Sequence, residues 1–111
     1  MKSALQDNER IIRQGAANLQ RGAEIVGGKL YLTNSRIVFE PHAINFQSGV
    51  DGIDTDNVEF VRMGWTKLFG VVPIVPNSLL IGTKDGREFS FMVFGRKAWM
   101  DAITSAGASA D

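Results

Sequence analysis

The chain has no cysteine and a single histidine, His42, among 111 residues. That excludes disulfides, zinc-thiolate sites and thiol catalysis, and it fits a reducing cytoplasm. Net charge is missing as well, since 12 basic side chains balance 12 acidic ones. No bulk field therefore gathers nucleic acid or an anionic membrane, and any recognition of anions must be local. No window approaches the roughly 20 apolar residues of a membrane-crossing helix. The opening MKSALQDNERII has neither the basic start nor the apolar run of a signal peptide, so the chain reads as soluble and cytoplasmic. Proline is scarce, and Pro41, Pro73 and Pro76 act as local punctuation.

What is present is hydrophobic alternation on a chain that is 44% hydrophobic, enough for one compact domain with its own core. Residues 27–46, GGKLYLTNSRIVFEPHAINF, alternate apolar and polar side chains on both sides of a polar turn, the pattern of an antiparallel hairpin with one buried face. With Asn34 and Ser35 at the turn, Leu32 faces Ile37, Leu30 faces Phe39, and Lys29 lies opposite Glu40. The other face carries Tyr31, Thr33, Val38 and Arg36. Upstream, residues 1–8 read as a flexible polar segment and Glu9–Arg13 leads into a stretch of little periodicity. Residues 19–23 form a strand end, a glycine turn and a return, and Gly27 and Gly28 mark a bulge or a close backbone approach.

Residues 41–55 read mostly as loop, with a short strand at Ile44–Gln47. Val58–Met63 alternates again, placing Val58, Phe60 and Arg62 on one side. Pro73 and Pro76 cannot donate to a ladder, which demotes residues 64–78 to an edge or a loop. A second hairpin centres on Asp85 and Gly86. Its two-residue register sets Leu80 against Phe91 and Gly82 against Phe89, with Phe89, Phe91 and Val93 inward; a three-residue loop with Gly86 in a bulge would shift those pairs.

The chain ends in a helix over Arg96 to about Ala106, with Trp99, Ala102, Ile103 and Ala106 on one face. Gly95 stands at the cap, which places Phe94 and Trp99 at the two positions of a hydrophobic staple. Arg96 and Lys97 put positive charge at the helix start, against the macrodipole, as a surface pair or a functional mark. Residues 107–111 read as a flexible tail.

Strands followed by a terminal amphipathic helix, with no βαβ alternation, describe a bent antiparallel sheet or barrel whose open end a helix covers. The residues carry the likeness further. GGKLYLTNSRIVFEPH, TKLFG, PNSLLIGTKDGREFSFMV and FGRKAWMDAI, in that order, resemble the blocks of the GRAM family, a branch of the pleckstrin-homology-like fold. The resemblance spans about residues 9–106 and implies a mainly β domain of about seven strands capped by one C-terminal helix. It departs at VVPIVP, where a shorter link is expected.

Catalysis finds little support in the residues. A triad would need His42 as base, and no local spacing supplies one; a structural part near Pro41 and Asn45 is the plainer reading. Asp51, Asp54 and Asp56 lack the spacing of a calcium loop, and Gly27-Gly28 precedes a strand, not a phosphate-binding helix. The chain is therefore expected to be non-enzymatic, with no cofactor and no metal.

What the family resemblance implies is binding to a membrane lipid, a phosphoinositide or another anionic lipid, or to a protein. Arg21, Lys29, Arg36, Lys67, Arg96 and Lys97 are the candidate cations, and each would add about 1 kcal/mol near an anionic surface if they converge. Trp65 and Phe69 head an apolar stretch, residues 65–76, that either enters the headgroup layer or covers the core. The alternative is a protein-interaction or self-assembly module, working through that loop or an edge strand.

Overall fold

A computed structural model describes residues 1, 4–21, 24–42, 50–68 and 72–110, without the side chains of 21, 50, 51, 65–68, 72–77 and 108–110. The elements are β1 (Ile11–Arg21), β2 (Glu24–Thr33), β3 (Arg36–Pro41), β4 (Val50–Asp54), a 3-10 turn (Thr55–Asn57), β5 (Val58–Leu68), β6 (Val72–Thr83), β7 (Glu88–Val93) and α1 (Arg96–Ala110). All strand pairs are antiparallel, in the order β4-β3-β2-β1-β7-β6-β5. β4 and β5 remain edges, so the sheet is bent but not closed. One core joins its two halves, with Leu30, Ile37, Phe39 and Ile53 from one side meeting Leu79, Ile81 and Phe91 from the other. Phe39 and Phe91 touch at a ring separation of 5.5 Å.

The β2–β3 hairpin has the expected register: Leu32 pairs with Ile37, Leu30 with Phe39 and Lys29 with Glu40. Its second face is also covered, because Tyr31, Thr33 and Val38 are all buried. Gly28 marks a close approach: a side chain there would begin 2.4 Å from the Glu40 carbonyl and 2.6 Å from the Phe39 ring. No bulge accompanies it, and β1 and β2 slip register only between Ile11 and Arg13.

The β6–β7 hairpin differs from its two-residue register by one position. Leu79 pairs with Phe91, Ile81 with Phe89 and Gly82 with Glu88, so the loop is Lys84-Asp85-Gly86. Gly86, at φ +88°, takes the left-handed conformation that such a loop needs. Asp85 accepts from the Thr83 hydroxyl and from Arg87, which lower its pKa below the usual carboxylate value. The space over Gly82 is taken by Phe60, whose ring would lie 2.0 Å from a side-chain carbon there. Val58 and Val61 both pack on the core, not Val58 with Phe60 and Arg62, because a register shift between Val58 and Phe60 breaks the alternation.

Of two stretches that turn out to be strands, residues 50–54 read as loop in sequence and residues 72–77 as an edge or a loop. Val50–Asp54 pairs with β3 through Ile37–Ile53 and Phe39–Val50, although its two β-branched residues stand among two aspartates and a glycine. Residues 72–77 extend β6 and pair with β5 only, because β7 begins its pairing at Ser78. Among the described residues their other side pairs with no strand, an edge arrangement in which Pro73 and Pro76 are tolerated. The expected strand at Ile44–Gln47 lies outside the described residues.

β1 lacks periodicity in sequence because its inward row, Arg13, Gly15, Ala17 and Leu19, shrinks to make room for the helix. Trp99 is 2% exposed. Its ring lies 3.7 Å from where a side chain on Gly15 would start, and the Arg13 guanidinium covers it at 5.2 Å. The staple is not formed, since Phe94 is 94% exposed. Gly95, at φ +69°, turns the chain between them, and the helix is instead held by Trp99, Ile103 and Ala106.

Candidate functional site

Arg36 is the cation with the most partners. Its Nε and Nη2 donate to the two carboxylate oxygens of Glu9 at 2.8 and 3.1 Å, and Nη2 also donates to the Ala4 carbonyl. Glu9 is almost wholly enclosed, its side chain 1% exposed, and accepts from the hydroxyls of Thr33 and Ser35. The Arg36 hydrogen bond, opposed in part by burial and aided by Thr33, lowers the Glu9 pKa to about 2. With Arg10 and Asn34 bonded alongside, this network ties residues 4–10 to the β2–β3 turn.

Arg96 reaches the far end of the sheet, where Nη1 donates to the carbonyls of Gly64 and Ser78. Those carbonyls account for a cation at the helix start. Lys97 makes an exposed i,i+4 pair with Asp101 at 3.2 Å, of the kind worth a few tenths of a kcal/mol. Lys29 projects from β2 over the Tyr31 ring, 5.5 Å away, and forms no ion pair with any described residue. Lys29 and Arg36 share the outer face of β2 and β3, but their rows are four residues apart, roughly 13 Å along the sheet. The four described cations thus engage separate partners. The side chains of Arg21, Lys67 and Trp65, and all of Phe69, lie outside the described residues.

The strand register builds a different feature on that outer face. Met92, Asn18, Gly27 and His42 follow one another across β7, β1, β2 and the end of β3. The next row is Phe94, Ala16, Lys29 and Glu40, with Phe94 one step beyond the Val93–Ala17 pair. Small residues at Ala16 and Gly27 leave a trough of about 290 Å³ between taller neighbours, with His42 at one end and Met92 and Phe94 at the other. Ile25, 53% exposed and paired with Gln20, belongs to the same face by register. The trough is mainly apolar, with Asn18 and His42 as its polar side chains.

No family model and no curated protein matches the chain. Solved structures do match. The N-terminal PH domain of Vps36 is 18% identical, with 96% of this chain and 84% of that one covered at a TM-score of 0.70. The fold is pleckstrin-homology-like. A C-terminal domain of an unknown protein from Leishmania infantum is 14% identical, covering 92% and 87% at a TM-score of 0.73. The Slm1 PH domain in complex with inositol 4-phosphate is 13% identical, covering 87% and 95% at 0.64. In this pleckstrin-homology-like domain, sequence reasoning did not single out Asn18, Met92 or Phe94 for binding and gave His42 a structural part. The available signal was the small residues Ala16 and Gly27, whose meaning depends on which strands become neighbours.

Proposed function

We propose that the chain is a non-catalytic binding module of the GRAM branch of the pleckstrin-homology-like fold. It associates peripherally with membranes carrying anionic lipid, on the cytoplasmic side. The observation that carries the proposal is Phe94, held 94% exposed by a positive-φ turn beside an apolar trough. An aromatic ring in water contributes nothing to folding, whereas moving it into the headgroup layer is worth about 2 kcal/mol, roughly 30-fold in affinity. Lys29, adjacent and without an ion pair among the described residues, adds about 1 kcal/mol near an anionic surface. The Slm1 complex with a phosphorylated inositol supports a headgroup as the ligand class. The single histidine and absent cysteine support a non-catalytic role.

Vesicle sedimentation tests this. The protein should pellet with phosphatidylserine-containing vesicles at low salt and much less with phosphatidylcholine alone, and Phe94→Ser should weaken pelleting by about 30-fold. Equal, negligible pelleting with both vesicle types removes the proposal. A second reading, association through the β5 edge, draws on that strand's pairing on one side only among the described residues and on Met63, 46% exposed. A monomeric mass in sedimentation equilibrium at high concentration counts against self-assembly.

A further inference from the structure

We propose that the outer-face trough is a single-headgroup site. It takes the phosphate of a phospholipid between Asn18 and His42 and the start of the hydrocarbon chain along Ala16, Met92 and Phe94. The inference deepens the membrane-binding reading and rests on it for the source of the ligand. Its geometry is independent of that reading. His42 is fixed by its backbone N–H, which donates to the Gly27 carbonyl at 3.0 Å and continues the β2–β3 ladder one residue past Pro41. Asn18 faces Gly27 from the opposite strand. A side chain on Gly27 would begin 3.2 Å from Asn18 Oδ1 and 3.7 Å from His42 Cδ2, so glycine alone keeps the gap between them open.

Neither Asn18 nor His42 hydrogen-bonds through its side chain to any described residue. The Asn18 carboxamide and the His42 imidazole flank one gap, with Asn18 Oδ1 and His42 Cδ2 nearest to it; turned end for end, the carboxamide offers an N–H there which, together with an imidazole N–H, matches the acceptor oxygens of a phosphate. Lys29 stands two residues along β2 and brings positive charge, while Glu40, opposite Lys29 on β3, reduces the local field. Charge alone therefore holds a phosphate weakly here. The apolar strip must add to it, which selects a lipid phosphate over a free one.

The test is NMR titration of the full chain with inorganic phosphate and, separately, with dihexanoylphosphatidic acid below its micelle concentration. Signals of Asn18, Gly27, Gly28 and His42 should move saturably with both, and the lipid should saturate at a concentration at least about tenfold lower. Gly27→Val should abolish saturation while leaving distant signals in place. Should that variant not fold, Asn18→Leu and His42→Leu, both at exposed positions, should each weaken binding several-fold while Lys97→Ala does not. Shifts confined to other residues, unchanged binding by these variants, or phosphate binding as tight as the lipid would overturn the inference. Vesicle pelleting with a silent trough sinks the site and spares the membrane reading. A saturable trough without pelleting does the reverse.

Discussion

Replacing Glu9 by alanine leaves the Arg36 guanidinium, 13% exposed, without the carboxylate that takes two of its N–H groups. Breaking a buried ion pair from one side costs about 3–5 kcal/mol, because the remaining charge stays enclosed. Arg36 keeps its bond to the Ala4 carbonyl and some access to water, so about 2–3 kcal/mol is expected here. With a urea dependence of about 1.5 kcal/mol per molar, the unfolding midpoint should fall by roughly 1.3–2 M with little change in slope. Replacing both partners with apolar residues, Glu9→Leu with Arg36→Met, should recover most of that loss, since no unpaired charge is then buried. The effect has a definite pH signature. The folded-state pKa of Glu9 lies near 2 against an ordinary 4.5. Its contribution is therefore complete above about pH 4.5 and is lost as pH falls toward 2. The stability gap between the wild type and Glu9→Gln should close over that window. A Glu9→Ala loss under 0.5 kcal/mol at pH 7, or a gap independent of pH down to 2, would refute the reasoning.

Three further outcomes follow from the packing. Gly28→Ala should cost more than about 2 kcal/mol in chemical unfolding, because its new carbon would lie 2.4 Å from the Glu40 carbonyl oxygen. Gly52→Ala, where the nearest atom is the flexible Arg36 side chain at 3.5 Å, serves as the mild comparison. Trp99→Ala should cost about 3–5 kcal/mol and remove the helix from its seat, visible as a lowered thermal midpoint. Phe94→Ser should change stability by less than about 0.5 kcal/mol in the same melt, since the ring is already in water, which separates its effect on membranes from any effect on folding.

The parts of the fold written in local pattern were legible. The β2–β3 register follows from strict alternation about a two-residue turn, and the helix from the spacing of Trp99, Ile103 and Ala106. β4 was not, and the start of β6 was legible only as an edge or a loop, because their identity rests on what lies beside them. Val50 and Ile53 stand among aspartates and a glycine, and the prolines of β6 are acceptable only where β7 does not reach. The staple failed for a related reason: Gly95 meets the cap pattern, yet its left-handed turn sends Phe94 to the opposite face from Trp99. Sequence identified charges and could not foresee their partners. Arg36 looked like a ligand contact and is held by Glu9, an acid 27 positions away. The trough needs three strands in register before its small residues mean anything.

Membrane engagement through the outer face of β1, β2 and β7 is tested most directly by paramagnetic broadening of the protein's NMR signals on vesicles containing a nitroxide-labelled lipid. The expected result is selective loss of signal at Ile25, Met92 and Phe94, with the helix spared. Uniform broadening, or broadening centred on residues 65–76, would contradict the account.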